Sequence, residues 1–435
     1  MSRTQPLPRL DAAAISHTLE LSADPAAAID DLSIPAAPGV VIFEAADGST
    51  VLIATTADAR ALVRKRLGLV APEAGTSPAK TWRVDYRALT ARVLVIRVGS
   101  SLEADAVYLA QARTRLPHAY KIVTERWRAW FVHVDPNAEF PEWTKTNLLG
   151  LVGTRSASTL KQAPRRSPSV GEGPRAEGPV ADALGSQCPG VLLGPMPDKD
   201  SAGRFIEAMI DAFDLCRFHH LLVQAPRASA CAYKEMGRCP APCDGTETMD
   251  AYRRRTREAI ETVATGGVQG TIAELESRMR DAAQGQDFEN AHALKTQTER
   301  LSVLTNRAFA QVNRLDRWDR VLVLPSPVKK LVRIGLFTRG RLLHVGDADP
   351  ANLSELGSLA DIARRSILEH PVEIDGLAIN TIAIFTRWLF LAANKRRGQV
   401  CAIDSTNETL SKAARAVGKI DPVGTAFEDQ QIEGG

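Results

Sequence analysis

Four of the six cysteines, Cys216, Cys231, Cys239 and Cys243, crowd into residues 216–243, and the last two bracket Pro240-Ala241-Pro242. Two prolines so close together exclude a helix interior or a central strand, so this stretch has to be a loop with little core of its own. The rest of the chain bounds what those thiols can be. With 44% hydrophobic and 24% charged residues it has the mix of an ordinary globular protein, which excludes wholesale disorder. No apolar run approaches the ~18 residues of a membrane span. The best, Trp388-Leu389-Phe390-Leu391, stops at Asn394-Lys395-Arg396-Arg397. Residues 1–33 contain acidic side chains and no apolar h-region, so a signal peptide is not expected and the expected setting is a reducing cytoplasm. There, cysteines point to a metal or to free thiols rather than disulfides. Four thiolates satisfy either tetrahedral zinc or a [4Fe–4S] cluster; the plainer alternative is four small buried hydrophobes. His219 and His220 are near enough in sequence to replace one thiolate.

At roughly 150 residues per domain the length predicts about three units, and the pattern expected is multidomain α/β plus α. After an Ala- and Pro-rich lead (1–36), apolar runs at 40–43 and 50–53 flank Ala46-Asp47-Gly48-Ser49, a hairpin turn. A helix over 58–67, a core strand over 92–98 and a helix over 104–116 follow, which makes a small α/β domain over 37–150. Ser, Pro, Gly and Arg dominate 151–187, read as a linker. A Cys-rich helical domain occupies 188–267. An antiparallel helical hairpin occupies 268–306, its two apolar stripes separated by Gln284-Gly285-Gln286, with Asp287 as the cap of the second helix. Short helices with one apolar face are marginal alone, so the hairpin needs a partner surface in this chain or another. A strand at 321–324, a hairpin broken at 338–341 and helices near 352–369 and 379–396 give an α+β domain over 312–435, of no legible role. Asp347 and Asp349 read there as turn residues.

Leu193-Gly194-Pro195-Met196-Pro197, the helix leading to Cys216, and Cys231-Ala232-Tyr233-Lys234-Glu235-Met236-Gly237-Arg238-Cys239-Pro240-Ala241-Pro242-Cys243 resemble the UvrC family, the nuclease subunits of bacterial nucleotide excision repair. Tyr252 and its helix continue the likeness. The hairpin, with Leu275 to Ala283 and then Asp287-Phe288-Glu289-Asn290-Ala291, is similar to the UVR motif through which UvrC contacts UvrB. The resemblance implies that Cys216, Cys231, Cys239 and Cys243 hold a [4Fe–4S] cluster, with zinc as the alternative. It also implies that Met279, Phe288, Glu289, Ala291 and Leu294 face a UvrB-type helicase subunit, and that DNA is a partner.

The first domain resembles the GIY-YIG nuclease, with Pro38-Gly39-Val40-Val41 at the place of its opening and Leu52-Ile53-Ala54-Thr55 at its second motif. Val41 and Leu52 replace the tyrosines, Thr55 the lysine, and Tyr108 the metal-binding glutamate. Without a carboxylate for the divalent ion or phenols for proton transfer, the expectation is a retained fold without cleavage. Glu103 or Asp105 would restore a ligand if the alignment slips. Neither the second nuclease's Asp/Asp/His set nor helix-hairpin-helix modules are found in the C-terminal third. The net charge of +3 is too mild to demonstrate nucleic-acid binding by itself. The expected phosphate contacts are Arg60, Arg64 and Arg66 on one helix and Arg253 and Arg254, beside Arg255 and Arg257, on another. The reading is thus a UvrC-like DNA-repair protein without nuclease activity, with no membrane partner. The alternatives are an active endonuclease with a non-standard metal site, or a UVR-type adaptor that binds an ATPase and not DNA.

Overall fold

The computed structural model describes residues 7–22, 34–69, 86–147, 190–369, 376–420 and 431–433. The chain is mixed α/β, with three small sheets that pair antiparallel throughout. The 151–187 linker and Cys188 lie outside the described residues.

The first segment holds β1 (His17–Glu20), β2 (Gly39–Glu44), β3 (Thr50–Thr56), α1 (Ala59–Arg66), α2 (Tyr86–Leu89), β4 (Arg92–Arg97), α3 (Ser101–Arg115) and α4 (Pro117–Arg126). β2 is buried end to end and pairs with β3 and β4 on its two sides, as unbroken Val/Ile/Phe runs require. The turn between β2 and β3 is made by Asp47, whose carboxylate accepts from Ser49 N at 2.8 Å, and by Gly48 at φ +82°. Asp58 and Ser100 cap α1 and α3 by accepting from the amides of Ala61 and Glu103. α3 therefore begins ahead of the apolar pattern at 104. β1 was not expected in the lead; a four-residue edge strand with alternating burial leaves no apolar run to read.

β5 (Trp130–Val134), β6 (Thr144–Thr146), β7 (Val191–Met196) and β8 (Asn313–Arg314) form one sheet in the order β6-β5-β7-β8. On it pack α5 (Lys199–Ala212), α8 (Met249–Ala264), α9 (Val268–Gln284) and α10 (Phe288–Ser302), with short α6 (His219–Leu222) and α7 (Ala232–Glu235) in the loop between α5 and α8. The third segment holds β9 (Asp319–Pro325), β10 (Val332–Thr338), β11 (Arg341–Ala348), α11 (Leu353–Glu369), α12 (Gly376–Phe390), α13 (Ala393–Arg396), β12 (Gln399–Ala402), α14 (Asn407–Gly418) and β13 (Gln431–Glu433). Its sheet order is β11-β10-β9-β12. Arg339 and Gly340, both at positive φ, make the tight β10–β11 turn at the expected break.

Contacts divide the chain into two compact units, and not along the sequential boundaries expected. Residues 129–318 form one unit, because β5 and β6 pair with β7 and not with β2–β4. Residues up to Arg128 form the other together with the segment from Asp319 onward, so neither a 37–150 nor a 312–435 domain stands alone. The backbone stitches this composite unit. Leu10 N donates to Leu342 O and His344 N to Pro8 O, which lays the N-terminal segment on β11. β1 then pairs with β4, while β13 pairs with β3 at the other edge of the first sheet.

Buried charge completes the joint. Arg333 bridges Glu103 of α3 and Asp347 of β11, the latter at 3.0 Å from Nε; Arg387 Nη1 donates to Asp105 at 3.0 Å and its guanidinium lies over the Trp127 ring. Glu103 is fully buried and also accepts from Gly99 N at 2.7 Å. Asp347 is thus a strand residue in an ion pair and not a turn residue. Burial opposes its ionisation, but hydrogen bonds from His344 and Arg333 hold its carboxyl well below the usual range. Asp349 does make a turn, accepting from Ala351 N.

Arg333→Met leaves Glu103 buried without its cation and is expected to cost about 3–5 kcal/mol in denaturant unfolding, whereas Glu103→Gln with Arg333→Met should recover part of that loss. Gly99→Ala should destabilise beyond the ~1–3 kcal/mol of ordinary overpacking, since its Cβ would lie 1.9 Å from Pro325 O.

Candidate metal centre and partner surfaces

The four cysteines come from three pieces of backbone. Cys216 ends the turn after α5, Cys231 precedes α7, and Cys239 and Cys243 flank the proline pair, Cys243 inside a 3-10 turn over Pro242–Asp244. Between the prolines Ala241 takes φ +57°, a left-handed kink that reverses the chain. The loop is strapped by Ala228 N to Cys243 O at 3.0 Å, by Lys234 Nζ to Asp244 at 2.6 Å and Thr246 at 2.7 Å, and by a two-pronged Arg255–Glu247 pair.

All four cysteines line one small pocket, which the sequence spacing led one to expect. Cys216 and Cys239 share a hydrogen bond. That contact, with burial adding to it, pushes the Cys216 thiol well up, and the same contact, against burial, pulls Cys239 down to about 6. Burial likewise raises Cys243, with Cys239 and Asp244 adding repulsion. Arg217 and Arg238 line the same pocket, and Arg217 lies over the Tyr233 ring at 4.9 Å. The Tyr252 hydroxyl is fully buried beside Cys216 and Cys239, where burial first and the sulfurs next raise its pKa; no described residue satisfies it with a well-aligned hydrogen bond. Soft sulfur donors, cations to offset thiolate charge and an orphaned hydroxyl beside the sulfurs suit a thiophilic centre. The thiols are gathered but not closed on one point: among the described residues no group of three or more His, Cys, Asp or Glu side chains is arranged to hold an ion as it stands. The histidines are occupied elsewhere. His219 Nε2 lies 3.3 Å from Phe140 O and its Nδ1 3.7 Å from Glu142, while His220 packs on Phe218. Cys401 is a core residue of β12.

The hairpin rests its base on the unit's own core. Leu275, Leu294 and Leu301 are buried there and Met279 is half-buried, so Leu294 faces inward and not toward a partner. Arg300 of α10 pairs with Asp214 at 3.1 Å, which ties the hairpin to the turn before Cys216. At the tip Phe288 is 68% exposed, beside exposed Glu289 and half-buried Ala291. An amphipathic pattern alone could not separate the covered base from the open tip.

At the four degenerate positions the structure places Val41, Leu52, Thr55 and Tyr108 inside the first sheet's core, each 1% exposed or less. Glu103 and Asp105 are engaged by Arg333 and Arg387. The expected phosphate-binding arginines are mostly committed too. Arg60 donates to Ile34 O at 2.7 Å, Arg66 to Gln431 while covering the Tyr86 ring, and Arg253 to Asp250 and Glu139 O. Arg64 and Arg254 remain exposed without a partner among the described residues. No described helix is long and apolar enough to cross a membrane.

The UvrC/Cho excinuclease middle-domain model matches residues 180–262, the segment that carries all four cysteines. Over 108 residues the chain is 36% identical to a UvrABC system protein C of Thermus thermophilus, covering 25% of this chain and 18% of that protein. Its counterpart in Deinococcus radiodurans is 34% identical over 111 residues (26% and 18%), and that of Methanococcoides burtonii 31% over 141 residues (32% and 23%). The matches thus cover less than a quarter of the length of each of these relatives. No solved structure matches.

Ala241→Val puts a β-branched side chain into a buried left-handed position and should cost more than the ~1–2 kcal/mol of αL strain, read as a lowered melting temperature.

Proposed function

We propose that the chain, whose residues 180–262 match the UvrC/Cho excinuclease middle domain, is a UvrC-family DNA-binding nucleotide-excision-repair protein that docks a UvrB-type partner and makes no incision of its own. The observation that carries this reading is the convergence of Cys216, Cys231, Cys239 and Cys243 on one pocket within the matched segment. Those four residues would hold a [4Fe–4S] cluster, with zinc as the alternative donor-compatible centre. When bound, either supplies a covalent crosslink to a loop that buries little apolar surface. The surrounding residues do the rest. Lys234, Asp244 and Arg255 hold the loop in place, Arg217 and Arg238 balance thiolate charge, and the Tyr252 hydroxyl lies buried beside the sulfurs.

Partner docking is assigned to the hairpin tip, where Phe288, Glu289 and Ala291 remain accessible, with Met279 at the margin of the covered base. The absence of incision is supported by what fills the GIY-YIG-like positions. Val41, Leu52, Thr55 and Tyr108 are packed side chains with no carboxylate among them, and the nearby Glu103 and Asp105 neutralise arginines and do not face water. A divalent ion there would have to displace two partly buried guanidinium groups, which costs more than a surface carboxylate site would.

Anaerobically purified protein is expected to be brown, to absorb near ~400 nm and to contain iron, and Cys239→Ala should abolish all three; colourless, zinc-loaded protein would move the assignment to zinc. Phe288→Ala should weaken co-elution with a UvrB-type protein by about tenfold or more, as for a central aromatic anchor. Incubation of the intact chain with damaged or nicked DNA and Mg²⁺ or Mn²⁺ should give no cleavage; metal-dependent nicking would restore the endonuclease alternative.

A further inference from the structure

A groove of about 700 Å³ runs between the start of α11 and the outer face of α14, in the third of the chain that the sequence left without a role. α14 buries Leu410, Ala414 and Val417 in the core, which fixes the rotation of the helix. The groove is lined by Lys412, Arg415 and Lys419, spaced to form one stripe along the exposed side of α14. No described residue pairs with any of the three. Glu408 is the one acidic residue in the lining, so the groove carries an excess of positive charge.

We propose that this groove holds the phosphate backbone of duplex DNA, a proposal that rests on the DNA-repair reading above. At 1.5 Å per residue the stripe runs about 10 Å, which matches the rise along the duplex axis of about three phosphates of one strand at 3.4 Å each. Leu353, 51% exposed, and Ala416 form an apolar wall beside the cations, suited to the sugar edge of a strand whose phosphates face the stripe. Ser354 and Asn407 add hydroxyl and amide donors at the rim. Three of the arginines that the sequence first pointed to are a poorer fit: Arg60, Arg66 and Arg253 already donate within the protein, which leaves Arg64 and Arg254 alone on their helices, whereas the three cations of this groove lie together.

The test is fluorescence anisotropy of a labelled duplex oligonucleotide titrated with the full-length protein over a range of salt concentrations. The Lys412→Gln/Arg415→Gln/Lys419→Gln variant should bind at least tenfold more weakly at low salt. Its plot of log affinity against log salt should be shallower by about 2–3, the release expected for three lost phosphate contacts. Leu353→Ser should weaken binding with the slope unchanged. If the triple variant melts early, Lys412→Gln and Lys419→Gln made singly at exposed positions should each flatten the slope by about 1. Wild-type affinity and slope in these variants would overturn the groove and leave the DNA-repair reading standing. A wild-type chain that fails to bind duplex even at the lowest salt would overturn both.

Discussion

Arg333 is the residue on which the larger unit turns. It reaches from β10 to Glu103 on α3 and to Asp347 on β11, so one guanidinium ties the sheet of the C-terminal third to the helix that backs the N-terminal one. A fully buried carboxylate is tolerable only with a cation and well-made hydrogen bonds, and Glu103 has both, from Arg333 and Gly99 N. Two acidic side chains of α3, Glu103 and Asp105, are spent on this joint, and Val41, Leu52, Thr55 and Tyr108 nearby in the first segment are packed side chains.

The smaller unit follows a different constraint. A loop with two prolines, a left-handed alanine and short helices buries little, and it is held by ion pairs at its rim. Tyr252 and the Arg300–Asp214 pair connect that loop to α8 and α10. The sulfur pocket and the hairpin are therefore parts of one packed body.

Much of this was legible in the residues. Strand runs such as Val40 to Phe43, the capping residue Asp287, and the Cys spacing gave the elements and the metal-site candidate, because each is a local rule with a local cause. What could not be read was long-range. β1 and β13 are short edge strands with weak patterns whose partners lie far along the chain. The Glu103–Arg333 pair joins residues with no shared periodicity. Whether Leu294 faced a neighbour in the same molecule or another was open until α5 was seen beneath it, and the commitment of Arg60 and Arg66 to a carbonyl and to Gln431 leaves no trace in a count of positive charge.

The interleaved order of the two units has a kinetic consequence. On a ribosome, residues 129–318 emerge as one uninterrupted stretch and can close their core before translation ends. The earlier 128 residues must wait: β3 lacks its outer neighbour and Glu103 its counterion until β10 and β13 have been made. Nascent chains stalled before residue 333 should therefore hold a finished middle and an unfinished beginning, which makes the start of this protein, and not its end, the part most in need of a chaperone.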